Sequence, residues 1–238
     1  MNFNLTTPRQ GLKDGLPIGL GYLSVSFTFG LMAVSNGLTV MQAVLISMTN
    51  LTSAGQFAGL AIISASGSFA EMALTQLIIN IRYALMSLSL SQKLDSSFSI
   101  PHRLLSSFGI TDEIFAVCAS KDGMINCRYM YSLILIPFLG WTLGTLTGAC
   151  AGEILPPRIK AALGIAIYGM FIAIIIPPAK KSRSVMFVIS GAAILSCLLK
   201  YLTPVSDGFS VIICAVAVSA AAALLAPVNT EDKDSEVV

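Results

Sequence analysis

Arg82 lies in the middle of an apolar run from Phe69 to Ser91, two residues after Asn80 and one before Tyr83. A guanidinium keeps its proton in any protein environment, so it cannot enter a bilayer as a neutral group. Placing it near the bilayer centre costs about 2.5–3.5 kcal/mol even on translocon-insertion scales. A helix that carries it must turn it toward a counter-charge, a wet cavity or the interior of a bundle. The run itself is long enough to cross hydrocarbon, which takes about 20 residues. The chain is therefore expected to be an integral membrane protein with a polar interior, and a polar interior at membrane depth marks a path or a binding site.

Composition agrees and removes other classes. Hydrophobic residues make up 55% of the 238 and charged residues 11%, against about 25% charged in soluble domains. A net charge of +2 with no basic stripe excludes nucleic acid as a partner. The five cysteines (Cys118, Cys127, Cys150, Cys197, Cys214) stand singly, without CxxC spacing, and His102 is the one histidine. No metal site and no cofactor are expected from that set, and the cysteines read as small apolar core residues.

Apolar runs fall at Leu16–Val34, Val40–Ala65, Phe69–Ser91, Leu104–Ala119, Met130–Ala151, Ile159–Ile176, Val185–Leu199 and Phe209–Ala226. They predict an all-α membrane protein of about seven to eight transmembrane helices in one domain over 16–226. An N-terminal segment 1–15 on the cytoplasmic side precedes it, and a polar, disordered tail follows over 227–238. The first run reads as an uncleaved transmembrane helix rather than a signal peptide. Pro156-Pro157, Pro177-Pro178 and Thr203-Pro204 mark helix ends.

Two runs carry interruptions that a simple span would tolerate poorly: Thr49-Asn-Leu-Thr-Ser-Ala-Gly55-Gln56, and the stretch 104–113 with Ser106-Ser-Phe-Gly109-Ile-Thr-Asp112-Glu113. Eight simple spans would leave Lys93 and Arg103 opposite Arg9 and Lys13, a weak charge bias. Broken or re-entrant segments near 49–56 and 104–113 would bring them to one side and make the bias strong. Irregular backbone at this depth needs protein or a cavity around it, and transporters build sites from such interruptions in matching halves. Thr52-Ser-Ala-Gly55 and Ser106-Ser-Phe-Gly109 hint at an internal repeat.

The candidate translocation residues are Arg82, Asn80, Gln56, Asp112 and Glu113. Gln76 and Asn80 share a helix face with Tyr83 close by, whereas Arg82 points about 200° away from Asn80. Asp112 and Glu113 are the available counter-charges, with Asp112 favoured as partner or proton carrier, and Thr111 is placed to cap a helix starting there. Amides freed by a break beside Gln56 would suit a carboxylate. Glu71 reads as an end charge on its own helix. Gly140, Gly144, Gly148 and Gly152 form a four-residue stripe that admits close helix packing. Phosphate loops, HExxH and a paired-aspartate protease site are missing, so an enzyme is not expected.

Four motifs taken together resemble the AzlC family of bacterial branched-chain amino acid permeases. They are Leu16-Pro-Ile-Gly-Leu-Gly21, Ala54-Gly-Gln-Phe-Ala58, Asn80-Ile-Arg-Tyr-Ala-Leu-Met86 and Thr111-Asp-Glu-Ile-Phe-Ala116. Ile18 stands where that family typically has Phe. The resemblance implies a multi-pass protein of the bacterial cytoplasmic membrane that exports leucine, isoleucine, valine and similar small apolar amino acids. It further implies drive by the proton motive force and a small AzlD-type membrane protein as partner. It would place Asn80, Arg82, Gln56, Asp112 and Glu113 in the shared motifs. Two other functions fit the residues: a permease for another small zwitterion or organic acid, and a non-transporting scaffold whose glycine stripe docks a partner.

Overall fold

Thr7 and Pro8 start the first helix earlier than its apolar run. Thr7 accepts a hydrogen bond from the Gln10 amide, and the proline stands in the first turn, where its missing N–H is no loss. Helix α1 thus runs Pro8–Ser35. The computed structural model describes residues 6–156 and 183–225, with isolated positions between them (158, 172, 176, 179 and 180). The sixth run apart from two of those positions, the Pro157 and Pro177-Pro178 punctuation and the tail 227–238 lie outside the described residues.

Among the described residues the remaining helices are α2 Val40–Thr49, α3 Ser53–Ser64, α4 Phe69–Ser91, α5 Ile100–Ser107, α6 Asp112–Ala119, α7 Cys127–Ile154, α8 Arg183–Leu202 and α9 Asp207–Leu225, with no strand among them. Helices α1, α4, α7 and α8 are long and apolar enough to cross a membrane. Their large exposed side chains, such as Leu77, Ile81, Leu85 and Leu88 on α4, face the space that lipid would fill.

Helices α1 and α7 form the spine, and they run in the same direction. Gly11 faces Tyr129 and Leu133, Gly15 faces Leu133 and Pro137, Gly19 faces Gly140, and Gly148 faces Phe27. A Cβ on Gly140, Gly144 or Gly148 would run into the backbone oxygen of Gly19, Leu23 or Phe27. Gly152 ends the stripe more loosely: a Cβ there would stand 3.4 Å from Leu31 and Val34. The stripe's neighbour is a helix of the same chain.

Both interrupted runs are hairpins. Helix α2 begins with a capping box on Thr39 and Gln42, and the chain is extended at Asn50 and Thr52 before α3 begins. Ala43 near the start of α2 and Leu60 in α3 belong to one cluster with Phe29, Ala33 and Ala149. Leu51 between them packs with Tyr22 and Trp141, halfway along the spine. The chain therefore enters from the C-terminal end of α1, reaches mid-depth and returns.

The second hairpin mirrors it. His102 on α5 meets Tyr131, Phe108 meets Phe138, and Cys118 on α6 is back beside Met130. This hairpin enters from the N-terminal end of α1. Helix α4 crosses between the two, from Met72 beside Gly59, past Asn80 beside Thr52, to Leu90 in the cluster with Ile114 and Cys118. The units α2–α3–α4 and α5–α6–α7 thus have the same make-up with opposite direction. The repeat is real in topology but its register differs from the one expected. Ser53-Ala-Gly55 opens α3, whereas Ser106-Ser107 closes α5; the matching pair is Leu51-Thr52 and Ile110-Thr111, each leading into the returning half-helix.

The hairpins also bring Lys93 and Arg103 to the end that carries Arg9 and Lys13. Arg9, Lys13, Lys93, Arg103, Lys121 and Arg128 gather at one end: Lys121 pairs with Asp14 at 2.7 Å, and the Lys93 ammonium donates to the carbonyls of Ala119 and Lys121. The turns at the other end, residues 36–39 and 65–68, contain no Lys or Arg.

Glu71 does more than complement its own helix. It is 5% exposed, and its carboxylate accepts hydrogen bonds from the Ser206 hydroxyl and, at 3.0 Å, from the Gly208 amide at the start of α9. Replacing Glu71 by alanine is expected to remove that cap and destabilise the protein by about 1–2 kcal/mol. Glutamine, which keeps an acceptor oxygen, should lose less. Thermal midpoints of the detergent-purified variants measure the difference.

Candidate translocation site

The tips of the two hairpins meet at mid-depth against α4 and leave a cleft of about 240 Å³. Thr49 to Thr52 line it from the first break, Ser107, Phe108 and Ile110 from the second, and Asn80 and Tyr83 from α4. Four half-helix ends converge there: the C-terminal ends of α2 and α5, and the N-terminal ends of α3 and α6. A helix start leaves its first amides without intrahelical partners and carries partial positive charge, and a helix end does the same with carbonyls and negative charge. Thr52, the N-cap of α3, makes no side-chain bond to those amides.

Its hydroxyl is engaged elsewhere, in a ladder that crosses the cleft wall. Arg82 Nη2 donates to Tyr83 OH at 3.4 Å, Tyr83 OH to Thr52 Oγ1 at 3.3 Å, and Thr52 Oγ1 to Asn80 Oδ1 at 2.8 Å. Asn80 Nδ2 donates to Gln76 Oε1 at 3.0 Å, and Gln76 Nε2 to the Gly55 carbonyl at 2.8 Å. The first member can only donate and the last can only accept. Every hydroxyl and amide between them is therefore oriented in one sense, which fixes the polar wall of the cleft.

Arg82 joins the ladder although its Cα points away from Asn80. Its length carries the guanidinium over the Tyr83 ring, 5.0 Å from the centroid, and Nη1 lies 2.8 Å from the Asp112 carboxylate on α6. Both side chains of this pair are a little under half exposed. Of the predicted residues Asn80 lines the cleft, and the Arg82–Asp112 pair stands outside its lining, linked to it through Tyr83 and Thr52.

Glu113 and Gln56 go elsewhere. Glu113 meets the hydroxyl of Tyr22, which also lies 2.7 Å from Thr111 Oγ1. Thr111 in turn caps α6 by accepting from the Ile114 amide at 3.4 Å. Gln56 is 3% exposed and fully engaged: its oxygen accepts from Trp141 Nε1 at 3.2 Å and Ser47 Oγ at 3.3 Å, and its nitrogen donates to the Asn50 carbonyl in the break. The side chain lines a second cleft, and its amide holds the broken backbone at Asn50.

Sequence reasoning passed over Tyr22, Thr52 and Trp141. A usable signal was present in Tyr22 and Trp141, since rings with a polar tip inside an apolar run need a buried partner. Each hairpin has the same device: the N-cap threonine of its returning half (Thr52, Thr111) touches a tyrosine hydroxyl on a crossing helix (Tyr83 on α4, Tyr22 on α1).

Residues 17–155 match the AzlC protein family. An uncharacterized membrane protein of Archaeoglobus fulgidus is 34% identical over 188 residues, covering 78% of this chain and 82% of its own length. The inner membrane protein YgaZ of Escherichia coli is 30% identical over 182 residues, 74% of each chain. An uncharacterized membrane protein of Helicobacter pylori is 28% identical over 152 residues, 60% of this chain and 65% of its own. No solved structure matches. The matched region takes in both hairpins and the cleft between them.

Proposed function

This chain belongs to the AzlC family, and on that premise we propose that it is a secondary transporter subunit exporting leucine, isoleucine, valine and related apolar amino acids. It works with a small AzlD-type membrane protein, and the proton motive force drives it. The observation that carries this reading is the convergence of four half-helix ends on one cleft at mid-depth. A zwitterion needs a positive and a negative field a few ångströms apart with little net charge. The uncapped start of α3 suits its carboxylate, and the carbonyl ends of α2 and α5 suit its ammonium.

Asn80 contributes directly to the cleft wall in this reading, and Gln56 keeps the first break open. The Arg82–Asp112 pair opens and closes one side, with Asp112 or Glu113 carrying the proton. The basic end, with Arg9, Lys93 and Arg103, faces the cytoplasm by the positive-inside rule, in the cytoplasmic (inner) membrane. An apolar pocket separates substrates differing by one methylene by only about 1–3 kcal/mol, so selection among the branched-chain amino acids is loose. The scaffold alternative loses its main support, because α1 already occupies the glycine stripe. No enzymatic step is part of the reading.

Efflux of preloaded labelled leucine from cells tests it. Cells carrying the chain and an AzlD-type partner should lose label faster than matched cells lacking the chain, and an uncoupler should remove the difference. Equal rates for leucine, isoleucine, valine and methionine with and without the chain would sink the substrate assignment and move the search to another zwitterion or organic acid.

A further inference from the structure

Two more clefts flank the central one. A cleft of about 150 Å³ lies between α3 and α4, lined by Phe29, Ile46, Leu60 and Ile63 among others. Another, of about 230 Å³, lies between α4 and α5, lined by Leu94, Ser106 and Met130 among others, with Arg103 at its mouth on the basic end. They are not separate features. Asn50 lines both the first cleft and the central one, and Ser107 and Ile110 line both the central one and the third.

One face of α4 runs through all three. Met72 and Gln76 line the first cleft, Asn80 and Tyr83 the second, and Ser87 and Ser91 the third. Their spacing of three and four residues keeps them on a single stripe. From Met72 to Ser91 the stripe is about 28 Å long at 1.5 Å per residue, close to the ~30 Å thickness of the hydrocarbon core. The opposite face carries Leu77, Ile81, Leu85 and Leu88, all exposed. The walls outside the central cleft are low in free polarity, since Ser91, Ser106 and Ser107 bond their hydroxyls to carbonyls of their own helices.

We infer that the translocation path follows this stripe of α4 across the whole membrane, and that Ser87, Ser107 and Arg103 form its basic-end half. It takes a small molecule with an apolar body that makes polar contacts only at mid-depth. The inference rests on the central cleft being the substrate site, and it adds a second half that the shared motifs do not touch. The repeat supplies the logic: α4 presents its first half to one hairpin and its second half to the other, so movement of either hairpin against α4 opens one end of the same stripe.

The test is thiol accessibility in membrane vesicles, using a charged, membrane-impermeant thiol reagent on both sides and the unsubstituted chain as blank. Ser87→Cys and Ser107→Cys are compared with Leu88→Cys and Leu105→Cys, which lie at similar depth on exposed helix faces turned away from the clefts. The path predicts labelling at least tenfold faster at Ser87→Cys and Ser107→Cys than at the leucine positions. Equal rates at Ser87→Cys and Leu88→Cys would overturn it. Saturating leucine should slow the reaction at Ser107→Cys. Fast labelling that leucine leaves unchanged would uphold the wet stripe and remove the amino acid as its cargo.

Discussion

Replacing Gly148 by leucine should eliminate folded protein. Helices α1 and α7 pack in parallel with their backbones nearly touching, and a Cβ on Gly148 would meet the carbonyl of Phe27 rather than a movable side chain. Overpacking a well-filled site with side-chain neighbours costs about 1–3 kcal/mol. Here relief requires prising apart two helices of 28 residues each, and both hairpins are anchored on them through Trp141, Thr145 and Tyr22. Gly148→Ala should fall between leucine and the parent. Gly152→Ala is the control: a Cβ there would stand 3.4 Å from its nearest neighbours, and alanine is about 1 kcal/mol better than glycine inside a helix. That variant should be as stable as the parent or slightly more so. Yield of monodisperse protein in detergent and the thermal midpoint read out the series. A stable Gly148→Leu variant would mean that the two helices are not in contact there.

The stripe shows how far sequence carries in such a chain. Its spacing announces a close helix neighbour, since only packing uses glycine at that period, but nothing local says that the neighbour is α1. The same division runs through the site. Breaks near 49–56 and 104–113 were legible because Thr, Ser, Asn and Gly interrupt apolar runs that would otherwise cross; the structure narrows them to 50–52 and 108–111. Whether each chain segment continues or returns depends on distant pairs such as Leu60 with Phe29 or Cys118 with Met130. Arg82 and Asp112 are 30 residues apart and were paired by charge alone, there being few counter-charges to choose from. Tyr22 with Glu113 and Glu71 with Gly208 are 91 and 137 residues apart. For those links the sequence offers many possible partners and no arithmetic to choose among them.

Arg82→Ala should cut transport by at least tenfold while leaving the protein inserted. The guanidinium holds Asp112 and closes the donor end of the ladder through Tyr83 to Asn80, and a hydrogen bond to a charged group is worth about 1.5–3 kcal/mol. Arg82→Lys keeps the charge but has one nitrogen where the fork has two. It can hold Asp112 or orient Tyr83, not both, so its activity should lie between the parent and alanine. Asp112→Asn should also be impaired, since it leaves Arg82 uncompensated. Those losses alone would not tell a translocation pair from a structural staple. The double variant Arg82→Ala with Asp112→Ala does. Removing both members of an ion pair spares the protein the unpaired charge that makes single removals harmful. A staple should therefore recover, and the double variant would transport as well as the parent at matched expression. A pair that opens and closes one side of the cleft cannot recover that way. The double variant should be as stable as the parent by thermal midpoint and still fail to move labelled leucine.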